Sequence, residues 1–140
     1  MRRGPQQNVE EAKPLRAACK VLIFDEDDED LARHAEPFEA QGCEVHKCMS
    51  VETAMRCIER EEFDFALVDQ GSSAFAGLRV IRHLVRYNLR TPFVVVARRK
   101  DMLCYQQALG FGAMDYLEKP LPTAEMNWII QNYVGTSLKK

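Results

Sequence analysis

The chain has 140 residues, of which 46% are hydrophobic and 29% are charged, and its formal net charge is −2. This composition fits one ordinary globular domain and excludes fibrous and intrinsically disordered proteins. Lysines and arginines are scattered along the chain, so no basic segment favours nucleic-acid binding. The longest strongly apolar run, residues 93–97, is too short to cross a bilayer, and no apolar signal-peptide stretch follows Met1. We therefore expect a cytoplasmic protein whose partners are neither nucleic acid nor membrane.

The order of predicted elements begins after an irregular leader. Residues 1–18 lack apolar periodicity and contain Pro5, Pro14 and several charges, which predicts a flexible segment. The folded domain is expected at residues 19–134, followed by a short tail at 135–140. Short β-type runs bounded by polar residues predict five strands. These runs are Lys20–Phe24, Cys43–His46, Phe65–Val68, Phe93–Val96 and Met114–Leu117.

Between the strands, apolar residues recur at the spacing of a helix. The second predicted helix follows Ser50, a suitable N-cap, and its apolar residues stand at i, i+3, i+4 and i+7. The same kind of spacing predicts a helix after every strand. The marker residues are Leu31, Ala35 and Phe38; Val51, Ala54, Met55 and Ile58; Leu78, Ile81, Leu84 and Val85; Met102, Tyr105, Ala108 and Leu109; and Met126, Ile129, Ile130 and Tyr133.

Strands and helices thus alternate strictly, and the central strands are wholly apolar at residues 66–68 and 94–96. Such strands are typical of a parallel sheet covered by helices on both faces. The sequence therefore predicts an α/β fold of the doubly wound, flavodoxin-like (βα)5 type. Its five-stranded parallel sheet would have the order 2-1-3-4-5, with a ligand crevice where strands 1 and 3 diverge at their carboxyl ends.

Three carboxylates follow the two strands that flank this crevice. Asp25 and Glu26 stand directly after the first strand, and Asp69 stands directly after the third. Clustered carboxylates repel one another and raise one another's pKa values unless a cation lies among them. A few oxygen ligands with open positions suit hydrated Mg²⁺. We therefore expect a magnesium site at this end of the sheet.

Lys119 follows the fifth strand and precedes Pro120. From that strand end its ammonium could reach over the fourth strand toward Asp69 and neutralise an incoming phosphoryl oxygen. Carboxylates, a metal and a lysine together suit phosphoryl transfer, in which an aspartate attacks phosphorus and the protein stabilises the developing charge. The predicted product is an acyl phosphate.

In these motifs and their order, the sequence resembles the CheY-like receiver (response regulator) domain of two-component systems. The resemblance covers about residues 19–134. Residues 20–27, Lys-Val-Leu-Ile-Phe-Asp-Glu-Asp, are similar to the acidic motif of the family's first strand. Residues 64–69, Asp-Phe-Ala-Leu-Val-Asp, followed by Gly77-Leu78, are similar to its phosphoacceptor segment. Residues 91–96 and 112–120 are similar to its fourth and fifth strands.

The resemblance implies a role for each charged residue of the crevice. Asp69 would be the phosphoacceptor. Glu26, Asp69 and the backbone carbonyl of Gly71 would bind Mg²⁺ directly, and Asp25 would bind it through water. Lys119 would bind the phosphoryl group.

The resemblance also implies a switch beside the crevice. Tyr116 would be the aromatic residue whose rotation reports phosphorylation, and the peptide bond before Pro120 would be cis. Ala97 stands at the second switch position, where the family usually has Thr or Ser. Without that hydroxyl, one charge-assisted hydrogen bond of roughly 1.5–3 kcal/mol to the phosphoryl group is missing. We therefore expect the coupling of phosphorylation to Tyr116 to differ from that of the family.

The loop after Asp69 departs from the family as well. It lacks the proline common four positions after the phosphoacceptor, and it contains Ser72 and Ser73. One of these hydroxyls could stand in for the one that Ala97 lacks, although a serine-rich loop is more often only a turn. Arg99 would bring a further positive charge to the site or lie in solvent.

By this resemblance the protein is a signalling domain and not an enzyme. It would receive its phosphoryl group from a sensor histidine kinase or a histidine phosphotransfer protein in a phosphorelay. A homodimer through the fourth helix, fifth strand and fifth helix is compatible with the family. Few residues follow the fifth helix, so we expect either a stand-alone receiver or a fragment of a larger regulator.

Other functions compete with this interpretation. A degenerate receiver that works only by protein contact is favoured by Ala97. A haloacid-dehalogenase-like phosphatase would use Asp25 and Asp27 after the first strand, but the later acidic pair and the cap domain of that family are missing. A zinc site lacks a second ligand pair, and its ligands would be Cys43, His46 and Cys48.

Overall fold

The computed structural model describes residues 19–71 and 74–134. The predicted leader and tail, and both Ser72 and Ser73, lie outside the described residues. The strands are β1 (Lys20–Phe24), β2 (Glu44–Cys48), β3 (Phe65–Asp69), β4 (Phe93–Ala97) and β5 (Asp115–Glu118). The helices are α1 (Asp28–Ala40), α2 (Val51–Arg60), α3 (Gly77–Tyr87), α4 (Met102–Gly110) and α5 (Thr123–Ile129), and a π-helical turn, Ile130–Val134, continues α5.

The five strands form one parallel sheet in the order β2-β1-β3-β4-β5. The prediction of a doubly wound α/β fold is therefore confirmed. Every residue of β3 and β4 is buried, as expected for central strands covered on both faces. No helix in the described part of the chain is long and apolar enough to span a membrane.

Local capping explains where three of the helices begin. The side chains of Asp27, Ser50 and Asp101 accept hydrogen bonds from backbone N–H groups three residues later, at the starts of α1, α2 and α4. Such bonds satisfy amide groups that the first turn of a helix leaves without a partner. The capping prediction for Ser50 is confirmed.

The predicted bounds differ from the observed ones at a few ends. Strand β2 begins one residue later than predicted and continues to Cys48, because pairing with β1 extends to that residue. In α4 the apolar spacing predicted a helix correctly, but of its four marker residues only Ala108 is buried. Met102, Tyr105 and Leu109 are exposed, whereas the small side chains of Cys104 and Ala108 are buried.

The sheet separates two hydrophobic cores. One core packs β-strand residues such as Ile23 and Leu67 against α1 and α5, on what we call the α1 side. The other packs residues such as Phe24 and Val68 against α2, α3 and α4, on what we call the α4 side. Because successive side chains of a strand point to opposite faces, this alternation decides on which side each residue at a strand end lies.

Candidate functional site: a charged crevice at the carboxyl ends of the strands

Three of the predicted site residues meet at the carboxyl edge of the sheet. The Lys119 Nζ atom lies 2.8 Å from Asp25 Oδ2 and 3.0 Å from Asp69 Oδ1. The two aspartates are 1% and 7% exposed, yet both border an open crevice. The residues that line it are Asp25, Glu26, Asp27, Asp69, Gln70, Gly71, Arg98, Arg99 and Lys119.

The pleat of the strands accounts for this meeting. Asp25, Asp69 and Lys119 each stand two residues after a side chain that packs on the α1 side. Since side chains alternate along a strand, all three return to that same side at the strand ends. Those preceding residues are Ile23, Leu67 and Leu117.

The electrostatic environment of Asp69 resists its ionisation. Burial raises the pKa of Asp69, and the negative charge of Asp25 raises it further. Hydrogen bonds from Lys119 and from the backbone N–H of Gly71 lower it in part, and the net pKa stays above the ordinary value. An added cation at this crevice would therefore favour the ionised, nucleophilic carboxylate.

Lys119 has a third carboxylate partner that the sequence analysis did not identify. Its Nζ atom donates to Asp30 Oδ2 at 2.9 Å, and Asp30 lies in the first turn of α1 with 7% exposure. Burial lowers the pKa of Lys119, but the hydrogen bonds to the three carboxylates raise it by more. The ammonium is therefore held in its charged form between α1 and the strand ends.

Two arginines also bind Asp30. Arg33 Nη1 lies 2.7 Å from Asp30 Oδ1, and Arg98 Nη2 lies 2.8 Å from Asp30 Oδ2. Burial raises the pKa of Asp30, but Lys119 and the two arginines lower it by more. The Asp30 carboxylate thus forms ion pairs with three cationic side chains.

The donor set of the crevice fits the expected divalent cation. Asp25, Glu26, Asp69 and Gly71, the predicted ligand residues, all border the crevice. Oxygen donors of this kind are those that Mg²⁺ takes together with water. Burial, and after it the charge of Asp25, raises the pKa of Asp69, and a cation bound beside these carboxylates would lower it.

Two glycines fix the backbone after Asp69. Gly71 has a φ of +96°, a conformation that side chains of L-residues rarely adopt. Gly77, the first residue of α3, packs so closely that a Cβ atom placed on it would lie 2.1 Å from the carbonyl oxygen of Asp69. The glycine in this motif is therefore required by close contact with the strand end that carries Asp69.

On the α4 side of the strand ends, the hydrogen bonds of Tyr116 join uncharged groups. Ala97 is fully buried in the core there and offers no hydroxyl. Tyr116, which is 4% exposed, donates a hydrogen bond from its hydroxyl to Gln70 Oε1. The same hydroxyl accepts a hydrogen bond of 2.9 Å from the backbone N–H of Asp101. Tyr116 is thus tied both to the residue after Asp69 and to the start of α4.

Two further predicted residues lie beside these groups. The Lys119–Pro120 peptide bond is cis. Arg99 borders the crevice, and its backbone carbonyl accepts a hydrogen bond from Gln70 Nε2. The side chain of Gln70 therefore bridges β3, β5 and the loop after β4.

The cysteines of the alternative zinc site do not meet around His46. The Sγ atom of Cys43 lies 2.7 Å from Cys19 Sγ, in the core. Within residues 19–71 and 74–134, one group of three possible ligands has its ligand atoms close together: Glu44, His46 and Glu61. An ammonium already occupies part of it, because Lys20 Nζ lies 2.8 Å from Glu61 Oε1.

Asp30 carried a signal that sequence reasoning could have used. The buried residues of α1 are Asp30, Leu31, His34, Ala35 and Phe38. Asp30 therefore stands on the apolar face of the helix, four residues before His34, although it ends a run of six acidic residues that reads as a solvated helix start. Gln70 and Arg98 carried no comparable signal, because each stands in a polar segment after a strand.

Comparisons with known proteins agree with this fold. The family described as response regulator receiver domain matches residues 21–131. The regulatory protein AtoC of Escherichia coli K12 is 27% identical over 127 residues, which is 90% of this chain and 28% of AtoC. The chain therefore spans less than a third of this relative.

Two crystal structures have the same fold. A response regulator from Burkholderia pseudomallei, solved with a phosphorylated aspartic acid, a calcium ion and citrate, has a TM-score of 0.73 and 22% identity, covering 84% of this chain and 69% of its own. The receiver domain of the sensor histidine kinase PA1611 from Pseudomonas aeruginosa PAO1, with a magnesium ion in its active-site cleft, has a TM-score of 0.73 and 22% identity, covering 85% and 99%. With the family match over most of the chain, the protein belongs to the response regulator receiver domain family of two-component signal transduction.

Proposed function

We propose that the protein accepts a phosphoryl group on Asp69 from a phosphohistidine of a sensor histidine kinase or a histidine phosphotransfer protein. The observation that carries this proposal is the crevice in which Asp69 Oδ1 lies 3.0 Å from Lys119 Nζ beside the buried carboxylate of Asp25. Nucleophile, cation and further carboxylates stand together there, open to an incoming donor. Phosphoryl transfer is the chemistry that such a set supports best.

The proposed step needs no co-reactant beyond the donor. An oxygen of the Asp69 carboxylate attacks phosphorus and forms the new P–O bond. The bond from phosphorus to the donor's imidazole nitrogen breaks, and its electron pair stays on that nitrogen, which takes up a proton. Lys119 is already within hydrogen-bond distance of Asp69, so its ammonium neutralises charge on the transferred group without a large movement.

Mg²⁺ is proposed as the cofactor of this site. Glu26, Asp69 and the carbonyl of Gly71 would hold it directly, and Asp25 through water. When bound, the ion supplies positive charge that favours the ionised Asp69 and offsets the charge of the phosphoryl oxygens. The calcium and magnesium ions in the two similar crystal structures support a divalent cation in this family of sites.

Residues 19–134 are proposed as the receiver domain, acting in the cytoplasm, where phosphohistidine donors are made from ATP. Tyr116 and the face formed by α4, β5 and α5 are proposed as the surface that reports the modification or joins a second copy. Large apolar side chains of these elements are exposed, and exposed apolar groups often mark an interaction surface. They include Met102, Leu103, Leu109, Met114 and Trp128.

A second candidate function is a receiver that acts by protein contact without phosphorylation. It is favoured by Ala97, which leaves the phosphoryl group without a hydroxyl partner from β4. The cluster of Asp25, Asp69 and Lys119 favours the receiver that is phosphorylated. Two buried carboxylates repel each other, and clusters of this kind are found mainly at functional sites.

Intact mass after incubation with acetyl phosphate and Mg²⁺ separates the two candidates. We expect one added phosphoryl group, no addition in the presence of a chelator, and none in Asp69→Asn. The matched control is Asp28→Asn, an exposed aspartate at the start of α1, which should be modified like the wild type. No adduct on the wild type, together with no binding of Mg²⁺, would contradict the proposed function and favour the contact-only receiver.

A further inference from the structure

The crevice contains a second cation directed at the α1 side, the guanidinium of Arg98. Its Nη2 atom lies 2.8 Å from Asp30 Oδ2 and 3.5 Å from Asp27 Oδ2. Arg98 follows β4, whereas Asp27 and Asp30 follow β1, and β3 lies between these two strands. The ion pairs of Arg98 therefore connect the end of β4 with the start of α1, and Arg98 borders the same crevice as Asp69.

Arg98 can leave Asp30 at little cost. Its side chain is 68% exposed, and an ion pair at such exposure contributes little because water and salt screen it. Asp30 would keep two partners, since Lys119 Nζ lies 2.9 Å from one of its oxygens and Arg33 Nη1 lies 2.7 Å from the other. No buried carboxylate would be left unpaired.

A phosphoryl group on Asp69 would attract Arg98 more strongly than Asp30 does. The group carries a charge of roughly −1.5 to −2 and three acceptor oxygens, and it would stand in the crevice that Arg98 borders. A guanidinium presents paired N–H donors that match phosphoryl oxygens. On the α4 side, Ala97 offers no competing donor from its side chain.

We propose that Arg98 is a second phosphoryl-binding residue, which transfers from Asp30 and Asp27 to a phosphoryl oxygen when Asp69 is modified. The proposal rests on the proposed function of Asp69. It places the partner for the phosphoryl group on the α1 side, and it makes loss of the ion pairs from Arg98 to Asp27 and Asp30 a consequence of phosphorylation.

The affinity for beryllofluoride, a phosphoryl analogue that binds an aspartate carboxylate with Mg²⁺, tests the contact. We expect Arg98→Gln to weaken binding about tenfold or more, as for loss of one charge-assisted hydrogen bond, and Arg98→Lys to restore part of it. The matched control is Arg90→Gln, which removes an exposed arginine just before β4, at the opposite end of the same strand. It should bind like the wild type.

A double-mutant cycle with Asp30→Asn distinguishes direct contact from an effect through Asp30. If Arg98 binds the phosphoryl group, Arg98→Gln weakens beryllofluoride binding in the Asp30→Asn background too. If Arg98 acts only by pairing with Asp30, Arg98→Gln has no effect in that background, and the proposal is overturned. A readout independent of affinity is the Nε–Hε NMR signal of Arg98, assigned by its loss in Arg98→Gln, which should shift when beryllofluoride is added.

The outcomes also separate this inference from the function on which it rests. A wild type that binds the analogue with the same affinity as Arg98→Gln would overturn the role of Arg98 and leave Asp69 as the acceptor. A wild type that binds no analogue would overturn both. Thermal unfolding of each variant verifies that the exposed substitution at Arg98 leaves the fold intact.

Discussion

The two sides of the strand ends differ in chemistry although they share one backbone. On the α1 side, Lys119 joins Asp25, Asp30 and Asp69 in buried ion pairs. On the α4 side, the contacts are neutral hydrogen bonds among Gln70, Tyr116 and the loop after β4. The alternation of side chains along a strand separates these two sets. The proposed acceptance of a phosphoryl group and its proposed report to α4 therefore depend on different side chains, although Asp69 and Gln70 are neighbours in the chain.

The largest expected effect comes from removing the cation of the α1 side. Lys119→Met should lower the rate of phosphoryl addition from acetyl phosphate about 100-fold or more, because a preorganised donor to the developing charge is lost. The matched control is Lys100→Met, an exposed lysine in the neighbouring loop, which should react like the wild type. The rates are measured by intact mass over time. Equal rates in both variants would contradict the proposed role of Lys119 in binding the phosphoryl group.

A substitution at Gly77 should disturb both sides at once. Gly77→Ala places a methyl group against the carbonyl oxygen of Asp69, so we expect a loss of about 2 kcal/mol in the free energy of unfolding from overpacking. Gly110→Ala is the matched control, since a Cβ atom there meets nothing within 4 Å. Denaturant unfolding of the two variants measures the difference, and equal stabilities would contradict the close packing described for Gly77.

The fold and most of the charged site could be predicted because they depend on strong local patterns. Wholly apolar strands and helical spacing determine the parallel sheet, and the ends of β1, β3 and β5 then bring Asp25, Asp69 and Lys119 together. None of these steps requires knowledge of a side-chain conformation. The roles of Glu26 and Gly71 in metal binding remain predictions.

Partners that depend on side-chain reach could not be predicted. Arg98 follows β4 but binds Asp30 in α1, and the Gln70 amide accepts a hydrogen bond from Tyr116. A long flexible side chain chooses among several acceptors by differences of about 1 kcal/mol, which no spacing rule resolves. Three of the four apolar markers of α4 are exposed for a different reason, because the small residues of this helix and not its large apolar ones are buried.

The hydrogen bond between Gln70 and Tyr116 allows the α4 side to be tested separately. In a double-mutant cycle of Gln70→Ala and Tyr116→Phe, we expect a coupling of about 1 kcal/mol in the free energy of unfolding, as for one hydrogen bond. The rate of phosphoryl addition should change less than about twofold, since the hydrogen bond between Gln70 and Tyr116 lies apart from the ion pairs of Lys119. A large fall in that rate would contradict the separation of the two sides.

The smallest expected effect is the change in the free energy of unfolding when Asp69 is replaced. Because the pKa of Asp69 is raised in the folded state, the folded protein binds a proton there more readily than the unfolded chain does. Stability is therefore favoured below the ordinary aspartate pKa and falls as the pH rises through the raised pKa of Asp69. Asp69→Asn should raise the free energy of unfolding at neutral pH by about 1 kcal/mol or less, and the gain should shrink as the pH falls and vanish below the ordinary aspartate pKa.

Thermal unfolding of Asp69→Asn and the wild type across this pH range measures the effect. The control is Asp28→Asn, whose exposed side chain lies at the start of α1 and should give no such gain at neutral pH. A variant at Asp69 that is less stable than the wild type at neutral pH would contradict the raised pKa.

The most direct test of the account is to locate the phosphoryl group on the chain. Reduction of the modified protein with borohydride converts an aspartyl phosphate to homoserine, and peptide mass spectrometry then identifies the residue. The account predicts homoserine at position 69 alone, only after treatment with acetyl phosphate and Mg²⁺. Homoserine at another acidic residue, such as Asp25 or Asp64, or at no position, would contradict it.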